Sequence, residues 1–190
     1  MKSINIKLLL LLAAMLILSG CSTVKVMETW KGSSLTSVKP FKKVLVVNIN
    51  LDENVRKMYE DVVAAEMRDK GITAIPGHKY VKITKNYNRK DIQAAVEKTG
   101  ADAVLITRYI DTGDQKVSQQ GQGSVLYGEG YLPSSWDVMI ATMQVNLYST
   151  ASEQLVWSAR IKTSDADNKF HVSRDMGNLL TDLLKKDGLL

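Results

Sequence analysis

The sequence contains very few cysteine, histidine, proline and phenylalanine residues. One Cys, two His, three Pro and two Phe occur among its 190 residues. A single cysteine excludes an intrachain disulfide and a cysteine-based zinc site, and His78 and His171 do not form a metal-ligand spacing. We therefore expect no metal site and a fold stabilised by its hydrophobic core, for which an apolar share of 45% is ordinary.

The sequence also lacks a strong excess of either charge and a long apolar run. Its 25 basic and 20 acidic residues give a net charge of +5, which is too mild to indicate binding to nucleic acid. The longest apolar run, residues 8–18, is about half of the ~20 residues that a membrane-spanning helix needs.

Motifs of the common catalytic classes are missing as well. There is no Gly-x-Ser-x-Gly elbow to hold a nucleophilic serine. The paired glycines after residue 120 are not followed by the Lys-Ser/Thr of a phosphate-binding loop. Asp165 and Asp167 precede a predicted helix, where capping accounts for them. We therefore expect a protein that is not an enzyme and that uses no cofactor.

The N-terminal segment carries the clearest motif. Lysines, then the apolar run, then small residues are the parts of a secretory signal peptide. Leu18, Ser19, Gly20 and Cys21 resemble the lipobox of bacterial lipoproteins at all four positions. The resemblance implies that the chain is cut between Gly20 and Cys21, and that the Cys21 thiol and the new amino terminus are acylated.

Acyl chains on Cys21 would attach the protein to a lipid bilayer, because two or more chains anchor stably where one is marginal. Position 22 is Ser rather than Asp, so in a Gram-negative cell the resemblance implies sorting to the outer membrane, with the protein facing the periplasm. Residues 1–20 are then the signal peptide, and 21–41, which have few apolar residues and no sustained periodicity, a lipidated tether. Residues 42–190 form the periplasmic domain.

This domain has the pattern of an α/β fold. Residues 44–49, 72–75 and 103–107 form short apolar runs typical of buried strands, and amphipathic segments between them predict helices. Such crossovers imply three parallel strands. Alternating residues at 139–148 and 155–162 predict an antiparallel hairpin, and a final amphipathic helix follows. The predicted order is βαβαβ-ββ-α, a single layered domain with a mixed sheet.

Residues 112–136 form the one long segment without a regular pattern. They include four glycines between 121 and 130 and the aromatic residues Tyr127, Tyr131 and Trp136. Long loops in compact domains are usually functional or disordered, and aromatic side chains dominate protein contacts. We predict that these three aromatic residues bind a partner. The alternative is a flexible hairpin extension whose aromatic residues fold back over the sheet edge.

The order of these segments, the strand Lys-Val-Leu-Val-Val at 43–47 and the stretch 97–106 resemble small envelope lipoproteins of Gram-negative bacteria. These include the curli-secretion and penicillin-binding-protein-activator lipoproteins, whose shared domain is similar to the N-terminal domain of TolB. The resemblance implies a non-enzymatic module that binds an unidentified envelope or cell-wall protein. The alternative is a subunit of an oligomeric export or scaffold assembly, in which the chain binds copies of itself.

Overall fold

The fold is described from a computed structural model, which describes residues 23–32, 39–50, 52–83, 88–118, 135–164 and 167–190. For residues 111–118 and 135–139 only the backbone is described. Gly20, Cys21, Tyr127 and Tyr131 lie outside the described residues, so their predicted roles remain predictions.

Six strands form one sheet in the order β1-β6-β5-β4-β2-β3. The strands are β1 (Val24–Lys31), β2 (Lys43–Ile49), β3 (Thr73–Pro76), β4 (Ala103–Ser118), β5 (Ser135–Ser149) and β6 (Leu155–Thr163). The helices are α1 (Glu53–Asp69), α2 (Arg89–Thr99) and α3 (Lys169–Lys186). A short 3-10 turn, Gly77–Lys79, follows β3.

The predicted α/β class is confirmed, with β2 parallel to both β3 and β4. The predicted antiparallel hairpin is β5–β6, and β5 is also antiparallel to β4. The helix boundaries follow local capping chemistry. Asn88 and Asp91 form a reciprocal capping box at the start of α2, and Gly100 ends this helix with a φ of 63°.

One strand was not predicted. The segment interpreted as a tether contains β1, which pairs antiparallel with β6 from Val24 opposite Thr163 to Lys31 opposite Trp157. Only Val24 of this strand is buried. The local sequence therefore carries little apolar alternation, and the strand forms because β6 offers it backbone partners far along the chain.

Both ends of the segment predicted to be irregular, residues 112–118 and 135–136, belong to strands. β4 continues to Ser118 and β5 begins at Ser135, and the two strands stay paired along this stretch. Trp136 therefore belongs to β5, opposite Val117, and not to a loop. The glycine and polar residues of β4 give a weak strand signal. The pairing that begins in the buried part of β4 resumes through them after a one-residue register shift between Tyr109 and Asp111.

The two faces of the sheet are covered differently. The larger core lies on the face that packs against α1 and α3, and it includes Trp157, Met143, Leu147, Met176 and Tyr59. The smaller core lies on the opposite face, where α2 packs over β2 and β4; it includes Leu45, Val47, Ala95 and Val104. On this second face, the side chains of β5 and β6 are only partly buried.

Candidate functional site

A row of polar side chains runs along β5 on the face that α2 covers only in part. Gln144 Nε2 donates a hydrogen bond to Asn146 Oδ1 at 3.2 Å, and Asn146 Nδ2 donates to the Tyr148 hydroxyl at 3.3 Å. Alternate residues of a strand share a face, so the three groups form a continuous polar ladder. All three are half-buried, which leaves them available to a molecule that covers the sheet.

The neighbouring strands extend this surface. Arg160 of β6 lies opposite Gln144, and Trp30 of β1 lies opposite Ser158. We call the surface formed by Trp30, Gln144, Asn146, Tyr148, Ser158 and Arg160 the open face.

Arg160 is the main charged group of the open face. Its Nη1 is 3.3 Å from Glu28 Oε1, in a pair that is largely exposed and therefore adds little stability. Its Nε is buried and has no hydrogen-bond partner within the described ranges. A buried donor without a partner is unfavourable, and because this nitrogen is closed to solvent, a bound molecule could reach it only after the Arg160 side chain had moved.

Exposed apolar side chains lie on β1, at the edge of the sheet beside the open face. Trp30 is 48% exposed and Met27 is 56% exposed. Met27 lies in a bulge, where the register with β6 shifts between Val26 and Glu28. Large exposed apolar groups at a strand edge are typical of contact surfaces.

A cleft of about 590 Å³ separates α2 from the end of the β5–β6 hairpin. Its floor is apolar, formed by Ile92, Val96, Val104 and Ile106. Its rim is polar: Arg89 donates to Glu153, and Gln93 Nε2 donates to Glu153 Oε1 at 2.7 Å. This arrangement can accept an apolar side chain, and its charged groups already pair with each other.

A buried polar cluster lies at the carboxyl end of β2. Glu60 is completely buried; its Oε1 accepts the Asn48 N–H at 2.9 Å and its Oε2 accepts the His78 N–H. Arg56 Nη1 is 3.8 Å from Glu60 Oε1 and donates to the Val81 carbonyl at 2.9 Å. Burial raises the pKa of Glu60 to about 7, although the Asn48 N–H, Arg56 and the His78 N–H oppose the shift.

The cluster joins β2, α1 and the turn after β3, so its first role is structural. Tyr59 donates to Thr107 Oγ1 at 3.0 Å, and burial raises the pKa of this tyrosine. The Asn48 side-chain amide is buried, and its nitrogen and oxygen both lack a partner among the described residues. The sequence analysis did not identify Glu60 as a buried group. The available signal was that Glu60, although acidic, lies with Tyr59 and Val63 on the apolar face of α1.

The free energy of unfolding is expected to decrease with rising pH because of Glu60. Its pKa is about 7 in the folded state against an ordinary value of 4.5, so the folded protein binds this proton more tightly than the unfolded chain. This stabilisation is complete below the unfolded pKa and is lost as the pH rises through the folded pKa. The shift corresponds to roughly 3 kcal/mol.

Urea unfolding at about pH 5 and about pH 8 measures this component. Glu60→Gln should lose less stability over this interval than the wild type does. Glu53→Gln is the matched control, because Glu53 lies on the same helix with a side chain that is 60% exposed. Equal pH dependence in all three proteins would show that Glu60 does not titrate as described.

Of the three aromatic residues predicted to bind a partner, the structure describes only Trp136. Trp136 lies in the part of β5 that extends past β6. His78 Nε2 is 2.9 Å from Asp61 Oδ1, and His171 contacts Asn168 at the start of α3. Within the described ranges, no group of three or more His, Cys, Asp or Glu side chains is arranged to hold a metal ion. None of the three described helices has the length and apolarity of a membrane-spanning helix.

No protein-family model matches the chain, and no curated protein matches it. The PelC dodecamer from Paraburkholderia phytofirmans is similar in structure, at 14% identity and a TM-score of 0.49, over 88% of this chain and 99% of that chain. A minor lipoprotein from Acinetobacter baumannii is similar at 9% identity and a TM-score of 0.32, over 78% and 95%. The similarity is a distant one of fold, and it transfers no residue role to this chain.

Proposed function

We propose that this chain is a lipid-anchored envelope protein whose domain acts by non-covalent contact and not by catalysis. Cys21 carries the acyl chains, and the domain faces the periplasm from the outer membrane. The open face is the observation that supports the contact role. It combines a hydrogen-bonded polar ladder, a partly exposed arginine side chain and an exposed tryptophan on one side of the sheet.

The polar groups inside the domain support the same proposal. Both carboxylate oxygens of Glu60 accept backbone N–H groups, and Arg56 donates to a backbone carbonyl. These bonds occupy the two groups in holding neighbouring segments together. The polar groups of the open face remain available to a partner protein.

Self-association is the second candidate, and the edge of the sheet favours it. β1 is an edge strand in the described sheet, with Met27 and Trp30 exposed. Residues 113–118 of β4 and 135–140 of β5, called the ribbon below, have no third strand beside them in the described residues. Two-stranded ribbons are marginal in water unless something covers them. A second copy of the chain would provide such a cover.

An in-cell crosslink from a photoreactive residue at position 30 of the full chain distinguishes these forms of contact. The control is the same residue at position 80, because Tyr80 is 42% exposed but lies near the opposite edge of the sheet. We expect a crosslinked product from position 30 only, in the membrane fraction. A different envelope protein in this product identifies a binding module, and a second copy identifies an oligomer subunit. Equal labelling from both positions, or recovery of the chain in the soluble fraction, would contradict the proposal.

A further inference from the structure

The first described residue, Thr23, is fixed to the domain. Its backbone N–H and its hydroxyl both donate to Asp175 Oδ2 of α3, at 2.8 and 2.9 Å. Its carbonyl accepts the Ser164 N–H at 3.0 Å, and β1 begins at the next residue. Three hydrogen bonds from one residue to two separate elements make Thr23 a part of the folded body.

The position of Thr23 limits how far the domain can stand from its lipid. Two peptide units join Cys21 to Thr23, and they span at most ~7 Å. A chain acylated at Cys21 therefore has almost no tether, contrary to the prediction of a linker over residues 21–41. This step rests on the anchoring proposed above. It places the end of the domain that carries Thr23 directly at the bilayer surface.

The start of α3 lies at this same end. The helix follows β6 after Thr163, which pairs with Val24, and it runs away from that end. Phe170 is five residues before Asp175 and thus ~7.5 Å nearer the helix start. The Phe170 side chain is 52% exposed, and Lys169 and Arg174 beside it are exposed too.

We propose that the end of the domain formed by Thr23 and the first turns of α3, with Phe170, Lys169 and Arg174, rests on the bilayer that holds the acyl chains. An exposed aromatic ring suits the interface between headgroups and acyl chains. Neighbouring cationic side chains are attracted to anionic lipid headgroups. The anchor and this surface together fix the orientation of the domain.

The ribbon leaves the domain at this end as well. Val24, Thr163 and Ala141 are neighbours across three strands, and β5 extends six residues beyond Ala141 to Ser135. Six residues correspond to ~20 Å of strand. A domain held this close to the bilayer directs the β5–β6 turn away from the bilayer surface.

Fluorescence quenching in vesicles tests the orientation. The full-length lipidated protein is purified and inserted in vesicles of phosphatidylethanolamine and phosphatidylglycerol that contain a headgroup-nitroxide lipid. Acylated Cys21 does not react with thiol probes, so Asp167→Cys and Ser152→Cys each carry a single fluorophore. Both positions are exposed, but Asp167 precedes α3 and Ser152 lies in the β5–β6 turn. Since β6 separates them by ~30 Å, we expect at least about threefold stronger quenching at position 167.

Asp175→Ala tests the contact that fixes Thr23. In this background the difference between the two labels should shrink while the protein stays on the vesicles. Asp182→Ala, on the exposed side of the same helix, is the matched control and should keep the difference. Equal quenching at both positions on vesicle-bound protein would overturn the orientation alone. If Asp175→Ala kept the full difference in quenching between positions 167 and 152, this would overturn the role of the Thr23–Asp175 contact in fixing the orientation. Protein that fails to bind vesicles would overturn the anchoring, and the orientation with it.

Discussion

Trp157→Ala is expected to lower the free energy of unfolding by about 3–5 kcal/mol. Trp157 is completely buried in the larger core, between the sheet and α3. Its indole Nε1 also donates to Asp187 Oδ2 at 2.8 Å, and Asp187 Oδ1 is 2.5 Å from Lys31 Nζ. The substitution removes the ring from the core and leaves this partly buried carboxylate without its neutral donor.

Trp157→Phe separates these two contributions. It retains most of the apolar volume but removes the indole N–H together with two buried ring carbons, so we expect it to cost about 2–3 kcal/mol. Trp30→Ala, at an exposed tryptophan, should change stability by less than about 0.5 kcal/mol. Urea unfolding of residues 22–190 measures all three. If the phenylalanine variant were as unstable as the alanine variant, the hydrogen bond and not the packing of the ring would dominate.

Gly177→Leu is expected to prevent the native packing of α1 against α3. A Cβ atom at position 177 would lie 2.7 Å from Glu66 Cβ and 3.2 Å from Val63 Cα. These atoms belong to or adjoin the α1 backbone, so the helix itself would have to move. Even Gly177→Ala should cost about 1–3 kcal/mol by overpacking, although alanine favours a helix over glycine by about 1 kcal/mol.

A double-mutant cycle tests the source of this cost. Glu66→Gly removes the nearest of the two atoms, so Gly177→Ala should be less destabilising in that background than in the wild type. Circular dichroism and urea unfolding of the four proteins give the coupling free energy. Equal costs in both backgrounds would mean that contact with Glu66 does not limit the approach of the two helices.

The sequence by itself determined most of the helices and strands whose formation depends on residues within one short stretch of chain. The parallel strands β2 and β3 and the first part of β4 form short apolar runs, and the turn between β5 and β6 lies between two segments of alternating residues. The start and end of α2 depend on Asn88, Asp91 and Gly100, which all act within a few residues. In each case the physical cause lies in the same short stretch of chain, and a single sequence displays it.

The candidate contact surfaces were harder to predict from the sequence. Trp136 was predicted to lie in an irregular segment, but it belongs to β5, and its position there depends on pairing with β4. From the sequence, the open face could be anticipated only as the polar side of two strands in which apolar and polar residues alternate. Trp30 became part of it because β1 pairs with β6. The lipobox-like motif at Cys21 could be identified from local sequence alone because such a motif is a linear pattern, and its processing stays a prediction.

Only the tertiary structure decided where Thr23, Glu60 and Gly177 lie. Thr23 bonds to Asp175, 152 residues away, and Glu60 is buried because β2 and the turn after β3 converge on α1. Gly177 is required because α1 passes close to it. These contacts come from partners that are distant in sequence. The same is true of β1, which comes from the N-terminal part of the chain and completes one edge of the described sheet. The chemistry of these contacts is therefore absent from any local pattern, and only the folded arrangement creates it.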